Sequence, residues 1–188
     1  MPARVAIFFA PGLEECEGLI TVDLLRRAGV EVDIVSISGE REVVSARQAH
    51  IVCDKLIEEL AWDAYDMLIL PGGMPGTTNL AACEPLCAQL KAFASAGKGV
   101  SAICAAPTVL AGLGLLQGKR ATCYPDMQDQ LAAAGAIVVA DQAVVVDGNV
   151  TTSQGLGTAL DFGLALVARF CGQEKADALA RGVVHKVL

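Results

Sequence analysis

The sequence predicts an α/β fold with a mostly parallel sheet and helices on both faces. Short apolar runs alternate with stretches of helical periodicity along the chain, which is the pattern of repeated strand–helix units. Three of the runs, Arg4–Phe9, 66–70 and Gly99–Ile103, are nearly continuous, as expected for strands covered on both sides. The chain has 188 residues, of which 54% are hydrophobic, so it can build a full core and is not a disordered chain. We expect one domain over residues 1–188.

The amino-terminal half gives clear signals for the order of its elements. Cys16, Leu19, Ile20 and Leu24 recur at helical spacing, and Gly29 then ends the helix. In order, this half predicts a strand at Arg4–Phe9, a helix over 14–28, a strand over 30–36, a small antiparallel excursion of 43–46 and 50–53, a strand over 66–70 and a helix over 84–96.

The carboxyl-terminal half continues the alternation. Pro107 suits the first turn of a helix, where its missing N–H is harmless, and Asp147-Gly148 between two apolar runs is a hairpin signal. In order, this half predicts a strand at Gly99–Ile103, a helix over 107–113, a strand over 119–123, a helix over 126–134, hairpin strands at 143–146 and 150–152, and helices over 156–170 and 174–184.

Composition narrows the possible partners and the compartment. Lys and Arg number 14 against 21 Asp and Glu, without a basic cluster, so we expect neither a nucleic-acid nor a membrane partner. The apolar runs are shorter than the ~20 residues of a membrane span, and no cleavable leader precedes the first strand. Seven cysteines, no Cys-x-x-Cys and two histidines predict free thiols, a cytoplasmic location and no structural metal.

Cys104 is the strongest catalytic candidate. It follows an apolar strand and precedes Ala105-Ala106-Pro107, which predicts an abrupt, strained turn from strand to helix like a nucleophile elbow. A helix N-terminus favours the thiolate, so we expect a lowered pKa at this sulfur. The alternative is an inert cysteine in the core, which is common.

Glu17 and a glycine pair are the next candidates. A Glu17 side chain desolvated beside Cys104 would keep its proton and donate a hydrogen bond to the sulfur. The alternative is that the carboxylates at this helix start only interact with the helix dipole. Gly72 and Gly73, after the strand over 66–70, can offer unobstructed backbone N–H groups to an oxyanion, although the same residues also make an ordinary turn.

Several short motifs occur in a specific order along nearly the whole chain. They are Ala10-Pro11-Gly12-Leu13-Glu14-Glu15-Cys16-Glu17, Leu25-Arg26-Arg27-Ala28-Gly29, Leu70-Pro71-Gly72-Gly73, Ala102-Ile103-Cys104-Ala105-Ala106-Pro107 and Thr152-Ser153-Gln154-Gly155-x-Gly157-Thr158. With them the chain resembles the ThiJ/PfpI superfamily and, within it, the parkinsonism-associated protein deglycase (glyoxalase III-like) subfamily and its bacterial relatives. This resemblance implies a flavodoxin-like three-layer sandwich, no cofactor, and a homodimer with Cys16 and Arg27 at or near the contact.

The resemblance also implies roles for the candidate residues. Cys104 would be the oxidisable nucleophile, Glu17 the acid bonded to it, and the backbone N–H groups of Gly73 and Ala105 an oxyanion site. Two functions follow and both stay open. One is a glyoxalase or protein deglycase that acts on small aldehydes or glycated substrates of the methylglyoxal type. The other is a redox-sensing stress protein or chaperone whose Cys104 is reversibly oxidised.

Two positions depart from the pattern of the relatives. Tyr124 stands in Thr122-Cys123-Tyr124-Pro125, where many relatives have a histidine. A phenol with a reference pKa of ~10 is a poor general base, so we expect slow glyoxalase turnover in which Glu17 carries the proton. Ala105 follows Cys104 where the protease-like branch has a histidine, which argues against a peptidase.

Some assignments around the site stay open. Gly72 and Tyr124 join the predicted oxyanion and substrate-binding residues. Whether Cys123 or Cys16 takes part in redox chemistry, and what Arg47 does, the sequence leaves undecided.

Overall fold

The computed structural model describes residues 2–185, in which eleven strands and seven α-helices are found. The strands are β1 (Arg4–Phe9), β2 (Glu31–Ser36), β3 (Glu42–Val44), β4 (His50–Val52), β5 (Lys55–Leu56), β6 (Met67–Leu70), β7 (Gly99–Ile103), β8 (Arg120–Ala121), β9 (Ile137–Val138), β10 (Val144–Asp147) and β11 (Val150–Ser153). The helices are α1 (Glu15–Ala28), α2 (Gly76–Ala82), α3 (Glu84–Ser95), α4 (Pro107–Gly112), α5 (Gln128–Ala133), α6 (Ala159–Cys171) and α7 (Gln173–Gly182).

A seven-stranded sheet in the order β10-β11-β7-β6-β1-β2-β5 forms the centre of the molecule. All of its neighbouring strands run parallel except the β10–β11 hairpin, which confirms the mostly parallel sheet that the sequence predicts. The antiparallel excursion is also confirmed, as β3 paired with β4. Because β1, β6 and β7 are parallel neighbours, their carboxyl ends meet at one edge of the sheet, where α/β proteins place their chemistry.

Two apolar layers cover the sheet, one on each face. Alternate residues of β1 show the division, because Ala6 and Phe8 belong to one layer and Val5, Ile7 and Phe9 to the other. Helices α2, α3, α4 and α5 complete the first layer, and α1, α6 and α7 complete the second. Gly29 ends α1 in the left-handed conformation, at the position that the sequence predicts.

A polar cluster lies under the amino end of the sheet, away from the strand exits. The hydroxyl of the buried Tyr65 donates to Asp33 (2.6 Å), and the same carboxylate oxygen accepts from Arg4 (2.9 Å) and lies 3.2 Å from the Lys55 ammonium. Burial is the largest single influence and raises the pKa of Asp33, but the hydrogen bond from Tyr65 and then those from Lys55 and Arg4 outweigh it and lower the pKa. These groups satisfy one another, so the cluster ties β1, β2 and β5 to the segment before β6.

Several elements differ from the sequence prediction. Helix α2 is not predicted because its Gly76-Thr77-Thr78-Asn79 run is poor in helix formers; buried Thr77 and Leu80 show that packing holds it. The strand predicted over 119–123 shortens to β8, which pairs with the unpredicted β9 outside the main sheet. The helix predicted from residue 156 begins at Ala159, after a 3₁₀ turn. Within residues 2–185, every helix is too short or too polar to cross a membrane.

Candidate active site

Cys104 lies at the carboxyl end of β7, where the chain turns sharply into α4. Its φ is 64°, a left-handed conformation that costs a non-glycine residue energy and clusters at functional sites. Two backbone bonds hold the turn, because the Cys104 N–H donates to the Ser153 carbonyl (3.0 Å) and the Tyr124 N–H donates to the Cys104 carbonyl (2.8 Å). The strained turn that the sequence predicts is therefore confirmed.

The sulfur of Cys104 lies against backbone donors from two strand exits. The N–H groups of Ala105 and Gly73 both form hydrogen bonds to it and so favour its anionic form. Gly73 follows β6, and its φ of 92° suits glycine. The two residues that the sequence predicts as oxyanion donors are thus brought together beside the reactive atom.

Gly72 has a different role from the predicted one of an oxyanion donor. Its N–H donates to Glu17 Oε2 (2.9 Å), so it holds the carboxyl group and is not directed at an oxyanion. A Cβ at this position would lie 2.6 Å from the Cβ of Cys104 and 2.8 Å from Glu17 Oε2. A side chain at position 72 would collide with both groups, so glycine is needed for Cys104 and Glu17 to pack against this turn.

Glu17 is the second reactive group of the site. It projects from the first turn of α1, is 1% exposed, and its Oε1 atom has no hydrogen-bond partner among the described residues. Burial is the main cause that raises its pKa to about 7, the Glu14 charge adds to the rise, and bonds from Cys104 and Gly72 oppose it. A carboxyl group with a pKa near neutrality can both take up and give back a proton at physiological pH.

The electrostatics of Cys104 correct the sequence prediction. Burial, and then the adjacent Glu17 charge, raise the pKa of the thiol to about 12, whereas the helix position led us to expect a lowered value. The N–H groups of Ala105 and Gly73 lower the pKa only in part. The thiolate therefore becomes accessible when Glu17 takes the proton, because this removes the neighbouring negative charge.

A pocket of about 250 Å³ opens in front of the sulfur. Its lining includes the predicted Gly73, Cys104, Ala105 and Tyr124, and it also includes Arg47, which the sequence left without a role. The remaining lining residues are Glu14, Ala46, Met74 and Met127. Of these, Met74 could have been predicted as a pocket residue from the sequence, since it directly follows the Gly72-Gly73 turn.

The loop that carries Arg47 is held by hydrogen bonds to the Ser45 hydroxyl and to the loop after β1. The hydroxyl of Ser45 accepts the N–H groups of Arg47 (3.3 Å) and Ala49 (3.0 Å), and the Ala46 N–H donates to the Leu13 carbonyl (2.8 Å). The tip between β3 and β4 is therefore held against the loop after β1. This places a cation at the mouth of the pocket.

The other cysteines and the larger grooves lie apart from this site. Cys123 is buried in the apolar layer opposite to the one against which Cys104 packs, and Cys16 is exposed on α1. Grooves of about 620 and 950 Å³ border α7 and the amino ends of the strands and have no cysteine in their lining, whereas a groove of about 350 Å³ beside α2 is lined by Cys83. Across residues 2–185, no three His, Cys, Asp or Glu side chains are grouped so that they could hold a metal ion.

Comparison with known proteins shows the family to which the chain belongs. A model of the DJ-1/PfpI family matches residues 3–169. The chain belongs to the DJ-1/PfpI family. Among DJ-1 relatives, Drosophila melanogaster dj-1beta is 38% identical over 184 residues, which are 98% of each chain, and its crystal structure superposes with a TM-score of 0.95 at 37% identity over the full length of both.

Two further DJ-1 relatives are similar over most of the chain. The Caenorhabditis elegans protein named glutathione-independent glyoxalase DJR-1.2 is 36% identical over 168 residues, which are 89% of this chain and 88% of that one. An oxidized form of Toxoplasma gondii DJ-1 has a TM-score of 0.93 at 34% identity, covering 98% of this chain and all of that one. The family resemblance and the flavodoxin-like α/β fold that the sequence predicts are confirmed.

Proposed function

We propose that this DJ-1/PfpI chain is a cysteine-dependent, cofactor-free glyoxalase and protein deglycase for aldehydes of the methylglyoxal type. The observation that carries the proposal is the buried Glu17, with its pKa near 7, beside a cysteine whose sulfur faces the N–H groups of Gly73 and Ala105. The name of the C. elegans relative, a glutathione-independent glyoxalase, supports the reaction class.

The first step joins the substrate to Cys104. The sulfur attacks the aldehyde carbon, and its proton passes to ionised Glu17 as the carbon–sulfur bond forms, because a thiol with a pKa of about 12 does not ionise beforehand. The N–H groups of Gly73 and Ala105 hold the negative oxygen. Glu17 then returns the proton to this oxygen, which gives a hemithioacetal and restores the carboxylate.

The second step moves a proton between adjacent carbons. Glu17 removes the proton from the former aldehyde carbon and delivers one to the neighbouring carbon, while the hydroxyl proton moves from the first oxygen to the second. The product is a lactoyl thioester on Cys104. Water then adds to the thioester carbon and the thiol leaves, so that methylglyoxal and one water give lactate. An adduct of methylglyoxal with a protein amine enters the same path when the sulfur displaces the amine.

Replacing Cys104 by Ala tests this function directly. We expect lactate formation from methylglyoxal, without glutathione, to fall to the buffer rate, because Cys104 is the thiol that both lines the pocket and bonds to Glu17. The matched control is Cys171→Ala, which removes an exposed thiol at the end of α6. The proposal is wrong if wild type and Cys104→Ala form lactate equally fast.

The redox-sensing function is the second candidate, favoured by the oxidized Toxoplasma gondii relative. We propose that peroxide oxidises Cys104 first to the sulfenic acid and then, with a second peroxide, to the sulfinic acid, each step releasing one water. Ionised Glu17 would take the thiol proton as the first sulfur–oxygen bond forms and pass it to the departing hydroxide, and the N–H groups of Gly73 and Ala105 would bind the new oxygens. After graded peroxide, mass spectrometry should find a gain of two oxygens at Cys104 before any at the exposed Cys16 or Cys171. Equal oxidation of all three cysteines would exclude this function.

We further propose that the chain acts in carbonyl and oxidative stress as a cytoplasmic homodimer. Helix α1 supports the contact, because Cys16 is exposed and Leu19 is 41% exposed on its outer side. The two residues are three apart and so share one face of the helix, where they would contribute to a contiguous apolar contact surface. Sedimentation should give about twice the chain mass of 19.4 kDa, and a single-chain mass at micromolar concentration would contradict this assembly.

A further inference from the structure

The pocket in front of Cys104 is larger and less polar than methylglyoxal needs. Its volume of about 250 Å³ far exceeds that of a three-carbon aldehyde. Most of its side chains are apolar, and the charged groups Glu14 and Arg47 are the exceptions. A ligand that only filled the space at the sulfur would leave the apolar wall in contact with water.

The apolar wall belongs to the same backbone that positions the reacting groups. Met74 directly follows Gly73, whose N–H bonds to the sulfur of Cys104. Tyr124 is fixed by its N–H to the Cys104 carbonyl (2.8 Å), and Met127 in turn donates its N–H to the Tyr124 carbonyl (2.9 Å). A carbonyl compound bound to the sulfur therefore has these side chains within reach of its substituent.

Two residues of the wall still have much surface to bury. Met74 is 54% exposed and Tyr124 is 44% exposed, and both line the pocket in front of the Cys104 sulfur, so a bound ligand can cover them. An apolar substituent that covers them removes surface of both partners from water. A methyl group is too small to cover either side chain, whereas a branched alkyl group of four carbons is large enough.

We propose that Met74 and Tyr124 form a subsite for an apolar substituent on the carbonyl compound. The inference rests on the proposed glyoxalase function and narrows its substrates to α-oxoaldehydes that carry a branched alkyl group. Tyr124 acts here as a binding surface and takes no part in proton transfer. The short flexible thioether of Met74 adapts to different substituent shapes.

The ratio of kcat/KM for isobutylglyoxal to that for methylglyoxal tests the subsite. Isobutylglyoxal has the same reacting carbons and three further carbons to bury, so we expect about a tenfold higher kcat/KM in wild type. Initial rates at short times keep modification of arginine by the aldehydes small. Met74→Gln, of similar length but polar, should reduce the ratio below about threefold, whereas the apolar control Met74→Leu should keep it.

Comparing the ratio between variants cancels the intrinsic reactivities of the two aldehydes, since both proteins face the same pair. A ratio of one or less in wild type, or an unchanged ratio in Met74→Gln, would overturn the subsite while the glyoxalase function stands. If the ratio fell in Met74→Leu as well as in Met74→Gln, the subsite would also be refuted, because an apolar contact tolerates leucine. If wild type turns over neither aldehyde above the buffer rate, the proposed function itself has failed.

Discussion

Replacing Glu17 by Gln is expected to lower kcat for methylglyoxal by about 100-fold or more. Glutamine can still accept the Gly72 N–H, so the site keeps its shape, but it cannot take the thiol proton or move a proton between carbons. Cys104, whose pKa is raised to about 12, would then have no base beside it. Lactate formation under saturating methylglyoxal measures the effect.

The pH profile distinguishes a lost proton carrier from a damaged site. In wild type, kcat/KM should rise with pH through about 7, because the first step needs ionised Glu17. The residual activity of Glu17→Gln should lack this rise. The matched control is Glu14→Gln, which removes a carboxylate from the same helix start and pocket, keeps the backbone bond from residue 14 to the Gly72 carbonyl (2.9 Å), and should change kcat only a few-fold. A Glu17→Gln variant with more than a tenth of wild-type kcat would refute the proton-transfer role.

The same substitution should change how stability depends on pH. The folded-state pKa of Glu17 is about 7 against 4.5 for the free side chain, so between these values the folded protein holds a proton that the unfolded chain releases. The free energy of unfolding of wild type therefore falls as pH rises from about 4.5 to 7, and the loss is complete above about 7. A shift of this size corresponds to about 3 kcal/mol.

Urea unfolding of wild type and Glu17→Gln between pH 5 and 8 measures this loss. The variant has no titrating group at this position, so its stability advantage should grow from a small value at pH 5 to about 3 kcal/mol at pH 8. Other groups titrate alike in both proteins and cancel in the difference. Glu58→Gln, an exposed carboxylate, is the control and should show no such trend. If the difference in stability between the two proteins were constant with pH, the pKa of Glu17 would be the same in the folded and unfolded states, and folding would not raise it.

Most of the fold could be predicted from local patterns. The apolar runs that become β1 and β7 and the glycine that ends α1 are properties of consecutive residues, and they emerge where the sequence places them. Helix α2 is the exception, because its own residues disfavour a helix and only contacts through Thr77 and Leu80 hold it. Strand β9 escapes prediction for a similar reason, since two residues carry too little pattern.

The candidate site divides in the same way. Cys104 could be found from the sequence because a strand, a reactive side chain and small residues followed one another. The role of Gly72 could not be found from the sequence, since its N–H bonds to a carboxylate 55 residues away along the chain. The predicted low pKa of Cys104 was wrong because it considered the helix start alone and not burial or the Glu17 charge.

The sequence by itself determined the strand–helix alternation, the mostly parallel sheet and the identity of Cys104 and Glu17 as candidates. Only the tertiary structure decided that these two groups do lie in one site, that Gly72 holds the carboxylate, and that Arg47 and Met74 line the pocket. The physical reason is the separation along the chain of the residues that interact. Backbone preferences act between neighbours in the chain, whereas a pKa or a pocket depends on every atom within a few ångströms, and the atoms that line this pocket come from five distant segments.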